Sequence, residues 1–360
     1  MSAPRTLMVM AGGTGGHIFP ALAVAQWLRS AGWNVVWLGS PRGMESTIVP
    51  QYGFEIEPVR FGGVRGKGAL RLLRLPIDLN LAFWQCARVI FRRRPDVVLG
   101  MGGYIAFPGG MMASLLRRPL VIHEQNSVPG LANRVLARIA DRVLCAFPGA
   151  LGRSVDSEWT GNPVREGIAA VAPPAERFAD RSGPLRLLVI GGSLGAQALN
   201  TCVPAAIARL PIERRPVVVH QSGRDHLDAL QEHYARAGVE ATLLPFIDDM
   251  ALRYAEADLV IARAGATTIA ELACVGLASV LVPFPHAVDD HQTVNARFLV
   301  ERGAAWLIPQ PECTPERLAA ELDALDRPKL LEMAQRAREV AKPEATRRVA
   351  EVCMELAHAS

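Results

Sequence analysis

Short apolar runs rich in Val, Ile and Leu recur along the chain, each followed by a turn and a stretch of helical character. Thr6–Met10, Asn34–Leu38, Glu55–Val59, Asp96–Gly100, Leu120–His123 and Asp141–Ala146 read as strands. A second series repeats the pattern: Leu185–Ile190, Val217–Gln221, Ala241–Leu244, Asp258–Ala262, Ser279–Val282 and Ala305–Ile308. Apolar runs alternating with helices predict parallel sheets covered on both faces. A looser segment, Ala172-Pro173-Pro174 to Ser182-Gly183-Pro184, separates the two series. Past Pro315 three helical segments are broken at Pro328 and Pro343. The last, near Glu344–Leu356, has no strand after it and is expected to return to the first half. The predicted fold is α/β: two Rossmann-like domains, residues 1–163 and 164–343, facing across a cleft, with 344–360 packed on the first.

Composition agrees with that division. A chain of 360 residues, half of them apolar, can bury two cores. The net charge of +4 is modest and does not by itself point to nucleic acid. The six cysteines are far apart, with no C-x-x-C pair and no clustered histidines, which predicts buried reduced thiols. The first apolar run is too short for a signal-peptide core, and no segment approaches the roughly 18 apolar residues of a spanning helix. The expectation is a cytosolic protein with any membrane contact peripheral.

Three glycine-rich turns follow strands: Gly12-Gly13-Thr14-Gly15-Gly16-His17, Gly100-Met101-Gly102-Gly103-Tyr104, and Gly191-Gly192-Ser193-Leu194-Gly195. In doubly wound folds ligands sit at the carboxyl ends of strands, where glycine admits a close approach and a helix start offers N–H donors to an anion. A phosphate-bearing ligand is expected. Ile18 takes the last glycine position of a dinucleotide fingerprint, and the second strand ends Trp37-Leu38-Gly39-Ser40 without an acid for an NAD ribose. No G-x-x-x-x-G-K-[ST] and no D-x-D pair is present, so helix starts rather than a divalent ion are expected to neutralise the phosphates. No metal and no cofactor is expected. In Arg263-Ala264-Gly265-Ala266-Thr267-Thr268-Ile269-Ala270-Glu271 the small residues and threonines offer donors, and Glu271 is either a ribose ligand or an ordinary helix acid. Gln292 and Asn295, after Asp289-Asp290-His291, suit sugar hydroxyls. His123-Glu124-Gln125-Asn126 puts four polar side chains in a row at a strand end.

Taken together, Gly12 to Pro20, Gly100 to Tyr104, His123 to Asn126, Gly191 to Ala196 and Asp290 to Asn295 resemble the signature segments of the MurG family, in register over nearly the whole chain. These are the peptidoglycan N-acetylglucosaminyltransferases, which move GlcNAc from UDP-GlcNAc to the C4 hydroxyl of MurNAc in lipid I, making lipid II. The resemblance implies a GT-B glycosyltransferase fold, inversion at the anomeric carbon, no metal, and work beside other proteins of cell-wall synthesis and division. It implies donor diphosphate and sugar against Thr14, Gly15 and Gly16, with the sugar near Asn126. Uracil is implied by Arg165 and the Ile247 backbone, the phosphates by Ser193 and the turn Ala266, Thr267, Thr268 leading into Ile269 and Ala270. The ribose falls to Glu271 and the sugar hydroxyls to Gln292. Ala264 and Thr267 depart from the serine and leucine usual there.

Between Arg60 and Arg94 nine basic residues face one acid, Asp78, with apolar residues interleaved. Mostly aliphatic neighbours weigh against nucleic acid. An interfacial segment on an anionic membrane surface fits, with Leu75, Leu79, Phe83 and Trp84 as contacts. For the transfer itself, His17 is the first choice of general base and Glu124 the second. A UDP-GlcNAc 2-epimerase of the same fold and a non-catalytic nucleotide-sugar-binding protein are the rival readings.

Overall fold

The computed structural model describes residues 4–62, 69–192 and 195–359. The chain divides into two compact units, Met1–Arg165 with Pro343–Ser360, and Glu166–Lys342. The boundaries expected from the sequence were 163/164 and 343/344.

The first unit is built on seven parallel strands: β1 (Thr6–Met10), β2 (Asn34–Gly39), β3 (Glu55–Pro58), β4 (Val97–Gly100), β5 (Leu120–Glu124), β6 (Arg142–Cys145) and β7 (Glu158–Trp159). They lie in the order β3-β2-β1-β4-β5-β6-β7. Order therefore reverses between β1 and β4, where Met10 stands between Leu38 and Gly100. Leu7 to Met10 are wholly buried because helices cover both faces, the arrangement that parallel strands require. On one face α1 (Gly15–Ser30) and α2 (Glu45–Gln51) join the last helix, Ala345–Ala359, in a core of Ile18, Leu22, Val24, Leu28, Val349 and Cys353. On the other, α3 (Ala69–Arg93), α4 (Ala106–Leu115) and α5 (Leu131–Leu136) bury Ala82, Cys86, Ile90, Ala113 and Leu136 against Met8, Met10 and Val98.

The second unit repeats the plan with β8 (Arg186–Ile190), β9 (Val217–Gln221), β10 (Thr242–Leu244), β11 (Leu259–Ala262), β12 (Ala278–Leu281) and β13 (Ala305–Leu307), in the order β10-β9-β8-β11-β12-β13. Its reversal lies between β8 and β11, with Ala262 opposite Ile190. Two prolines expected to interrupt helices behave differently. Pro328 sits in the first turn of Arg327–Glu339, where a missing N–H costs nothing, and Asp326 caps that helix by accepting from Lys329 N at 2.9 Å. Pro343 lies between helices. All six cysteines are free, and five of them are buried.

Candidate active site

In the first unit the loops at the strand-order reversal converge on one imidazole. Thr14 holds the N-cap position of α1, but its side chain does not cap the helix. Its Oγ1 stands 3.2 Å from His17 Nδ1 instead. His17 Nδ1 lies 3.1 Å from the carbonyl oxygen of Gly12. A carbonyl only accepts, so Nδ1 carries the hydrogen and, in the neutral ring, Nε2 carries the lone pair. The loop after β4 supports the other edge of the ring. A Cβ built on Gly102, whose φ is +91°, would lie 2.8 Å from His17 Cδ2 and 3.0 Å from Nε2. One on Gly103 would lie 2.3 Å from the Gly12 carbonyl oxygen. These two glycines let the β4 loop lie directly on the β1 turn, with half-exposed Tyr104 against Gly13.

Glu45, at the start of α2, is the residue sequence reasoning missed. Its carboxylate is buried and accepts from Gly13 N at 3.0 Å and Ser40 N at 2.9 Å, tying the turns after β1 and β2 together. No local pattern marks it, because its partner Gly13 is 32 residues away.

The four polar residues ending β5 divide by environment. His123 is fully buried and donates Nε2–H to the Gly161 carbonyl at 2.9 Å. Gln125 Nε2 donates to His123 Nδ1 at 3.2 Å, and burial pulls the imidazole down to about 4. His123 is thus a neutral strut. Glu124 is also buried; its oxygens accept from Asn126 N at 2.9 Å, Asn133 Nδ2 at 2.9 Å and Gly130 N at 3.2 Å. Burial raises its pKa, and these bonds pull the other way. The carboxyl shapes the loop that carries half-buried Asn126. Gln125 Oε1 is buried without a partner among the described residues, on the Gly102 side.

In the second unit, no side chain caps the helix Ala266–Val275, whose N-cap is Gly265. Its first N–H groups come from Ala266, Thr267 and Thr268, and Thr267 Oγ1 is buried without a partner among the described residues. The Ile269 side chain is buried and its N–H bonds to the Gly265 carbonyl at 3.0 Å, so it anchors the helix start. Ala270 is half-buried on the same helix. Glu271 is mostly buried and accepts from Tyr254 Oη at 3.0 Å, which orients the carboxylate. Gln292 is fixed by its Oε1, which accepts from Phe284 N at 2.9 Å. Asn295 is fully buried and donates to the Ala264 carbonyl at 3.3 Å, so it supports the Arg263–Gly265 loop rather than facing a sugar. Asp289 and Asp290, just before Gln292, both have left-handed backbones, φ 53° and 48°. Such strain in non-glycine residues concentrates at ligand-handling loops. Ile247 is buried, leaving its backbone as the group it could offer, and Arg165 is half-buried at the end of the first unit. Ser193 lies outside the described residues. Among the described residues, no three His, Cys, Asp or Glu side chains group as metal ligands.

Helix α3 divides the expected membrane contacts by exposure. Of Leu75, Leu79, Phe83 and Trp84, only Trp84 is exposed. Leu75, Leu79 and Phe83 turn partly inward, Phe83 packing against Phe107 with ring centroids 6.2 Å apart. The exposed apolar stripe is Leu73, Ile77, Leu81 and Trp84, the spacing of one helix face. Among the described residues no helix is long and apolar enough to cross a membrane.

Residues 7–145 match the glycosyltransferase family 28 N-terminal domain, and residues 186–350 match the C-terminal domain of the same family. The chain belongs to glycosyltransferase family 28. Within that family it is 61% identical over 359 residues to a Ralstonia nicotianae protein, covering 99% of this chain and 98% of the relative. It is 64% identical over 353 residues to one from Aromatoleum aromaticum, covering 98% of each. Both relatives bear the name UDP-N-acetylglucosamine--N-acetylmuramyl-(pentapeptide) pyrophosphoryl-undecaprenol N-acetylglucosamine transferase. The crystal structure of Acinetobacter baumannii MurG matches with a TM-score of 0.86 at 42% identity, over 98% of this chain and all of that one. A putative UDP-N-acetylglucosamine 2-epimerase from Listeria monocytogenes matches with a TM-score of 0.61 at 16% identity, a likeness of fold alone. The family 28 match thus spans both units, and the resemblance read from the glycine turns holds.

Proposed function

We infer that the chain is an inverting glycosyltransferase that moves GlcNAc from UDP-GlcNAc to the C4 hydroxyl of MurNAc in lipid I, giving lipid II. The observation that carries this reading is identity above 60% over both units to relatives bearing that enzyme's name. His17 is the general base. With its Nδ1–H directed at the Gly12 carbonyl, Nε2 takes the acceptor proton as the C4 oxygen attacks the anomeric carbon and the bond to the UDP diphosphate breaks. The Gly12 carbonyl then steadies the imidazolium. Glu124 holds Asn126 and its loop in place. In this reading Thr14, Gly15 and Gly16 approach the donor, and Arg165 and the Ile247 backbone take uracil. Ser193 and the helix start Ala266–Thr268 hold the phosphates, Glu271 the ribose and Gln292 the sugar hydroxyls. Uncapped helix N-termini suit a leaving diphosphate, because their N–H groups strengthen on developing negative charge.

The α3 stripe seats the enzyme on the cytoplasmic face of the plasma membrane, where a lipid-borne acceptor lies. The test is product analysis by NMR after incubation with UDP-GlcNAc and a lipid I analogue. A β-(1→4) linked disaccharide on the prenyl diphosphate is expected. Conversion of UDP-GlcNAc to its 2-epimer without acceptor consumption would overturn the reading.

A further inference from the structure

The first unit holds a cavity of about 1550 Å³ that reaches from Gly13 and Tyr104, beside the turn that carries His17, to Leu75 and Trp84 on α3. Its charge is unbalanced. Of its acids, Glu45 is spent on the Gly13 and Ser40 N–H groups, and Glu57 is ion-paired with Arg92 and Arg93. Asp78 is the third acid of the lining. Facing them are Arg42, Arg60 and Arg88, all exposed and without an ion-pair partner among the described residues. The Arg88 guanidinium stacks over the Trp84 ring, 5.6 Å from its centroid, which fixes one guanidinium beside the exposed α3 stripe. Three arginines in the lining of one cavity are side chains well matched to phosphate oxygens, since the planar guanidinium donates in pairs.

Resting on the transferase reading above, we propose that Arg42, Arg60 and Arg88 bind the diphosphate of the prenyl-linked acceptor, separately from the groups that hold the donor diphosphate. The acceptor's sugar points to the Gly13 and Tyr104 end, its diphosphate meets the arginines, and its prenyl chain leaves past Trp84 toward Ile77 and Leu81. Acceptor choice then depends on the charge at the head of the lipid as well as on the sugar.

The test uses the full-length enzyme in neutral detergent without phospholipid, which removes anionic headgroups as a competing source of phosphate. Kinetics with a short-prenyl lipid I analogue are compared for wild type and for Arg42→Ala, Arg60→Ala and Arg88→Ala. Calorimetry adds the affinity of a short prenyl diphosphate and of the matching monophosphate. Charged hydrogen bonds of this kind predict an acceptor KM raised about 10-fold or more by each change, with the donor KM unmoved. Wild type is expected to favour the diphosphate over the monophosphate about 10-fold, and the triple variant to lose that preference. Unchanged acceptor KM and preference in the variants would overturn the proposal. So would variants that keep wild-type acceptor kinetics and lose only binding to anionic vesicles, measured separately by co-sedimentation, which would make the arginines a headgroup contact. Absence of transfer by the wild type would refute the functional reading instead, and arginine-dependent diphosphate binding in that case would still uphold the site.

Discussion

His17 Nδ1 stands 3.1 Å from the carbonyl oxygen of Gly12, five residues earlier in the same turn. That contact decides which nitrogen of the ring is basic, and the Cα of Gly102 decides where the ring can lie. Gly102→Ala would place a methyl group 2.8 Å from His17 Cδ2 in a left-handed backbone that costs an L-residue about 1–2 kcal/mol. The ring must swing away. We expect kcat to fall about 10-fold or more, because displacements of about 1 Å cost up to 100-fold, while UDP-GlcNAc binding stays near normal. Steady-state kinetics with a thermal melt check this. An unchanged kcat would show that the ring position is not set by Gly102.

His123 predicts a pH dependence of stability. Its ordinary value of 6.5 falls to about 4 in the folded chain through burial. As pH drops, the unfolded chain takes up the proton first, so stability is full above about 6.5, declines toward pH 4, and levels off below it. For a fully buried imidazole this amounts to about 3 kcal/mol. His220, pulled down to about 3 by burial in the second unit, adds the same trend there. His123→Gln removes the titration and should flatten the acid side of the melting-temperature profile relative to wild type. Identical profiles would mean that His123 is not held neutral.

Membrane binding separates two faces of α3. Ile77→Ser, Leu81→Ser and Trp84→Ser together should lower affinity for anionic vesicles at least 10-fold and leave the melting temperature close to wild type, since these residues are exposed. Leu75→Ser, Leu79→Ser and Phe83→Ser together should mainly lower the melting temperature, since these side chains are partly buried. Co-sedimentation and melts distinguish the two. Equal loss of vesicle binding in both sets would contradict the assignment of the stripe.

Much of the fold was legible because a parallel strand buried on both faces is a continuous apolar run ending in a turn. Val217–Gln221 and Thr6–Met10 needed no adjustment. The two-residue β7 was not legible, as two residues carry no period. In the site, the glycine turns were visible and their clamp was not, because Glu45 reaches Gly13 through the fold. Asn295 looked like a ligand group because it follows the polar run Asp289 to Gln292, and sequence does not say which way a side chain turns. Exposure along α3 was not legible either: Leu75, Leu79 and Phe83 have the same helical spacing as Leu73, Ile77 and Leu81, and periodicity does not say which face turns to solvent.

The central claim, that His17 drives transfer to a lipid acceptor, is tested most directly by UDP release from UDP-GlcNAc with and without a lipid I analogue, for wild type and His17→Ala. Release should require the acceptor in wild type. In His17→Ala, kcat should fall about 100-fold or more, the scale of a lost general base, with donor affinity little changed. Acceptor-independent turnover by the wild type, or a near-normal kcat in His17→Ala, would contradict the account.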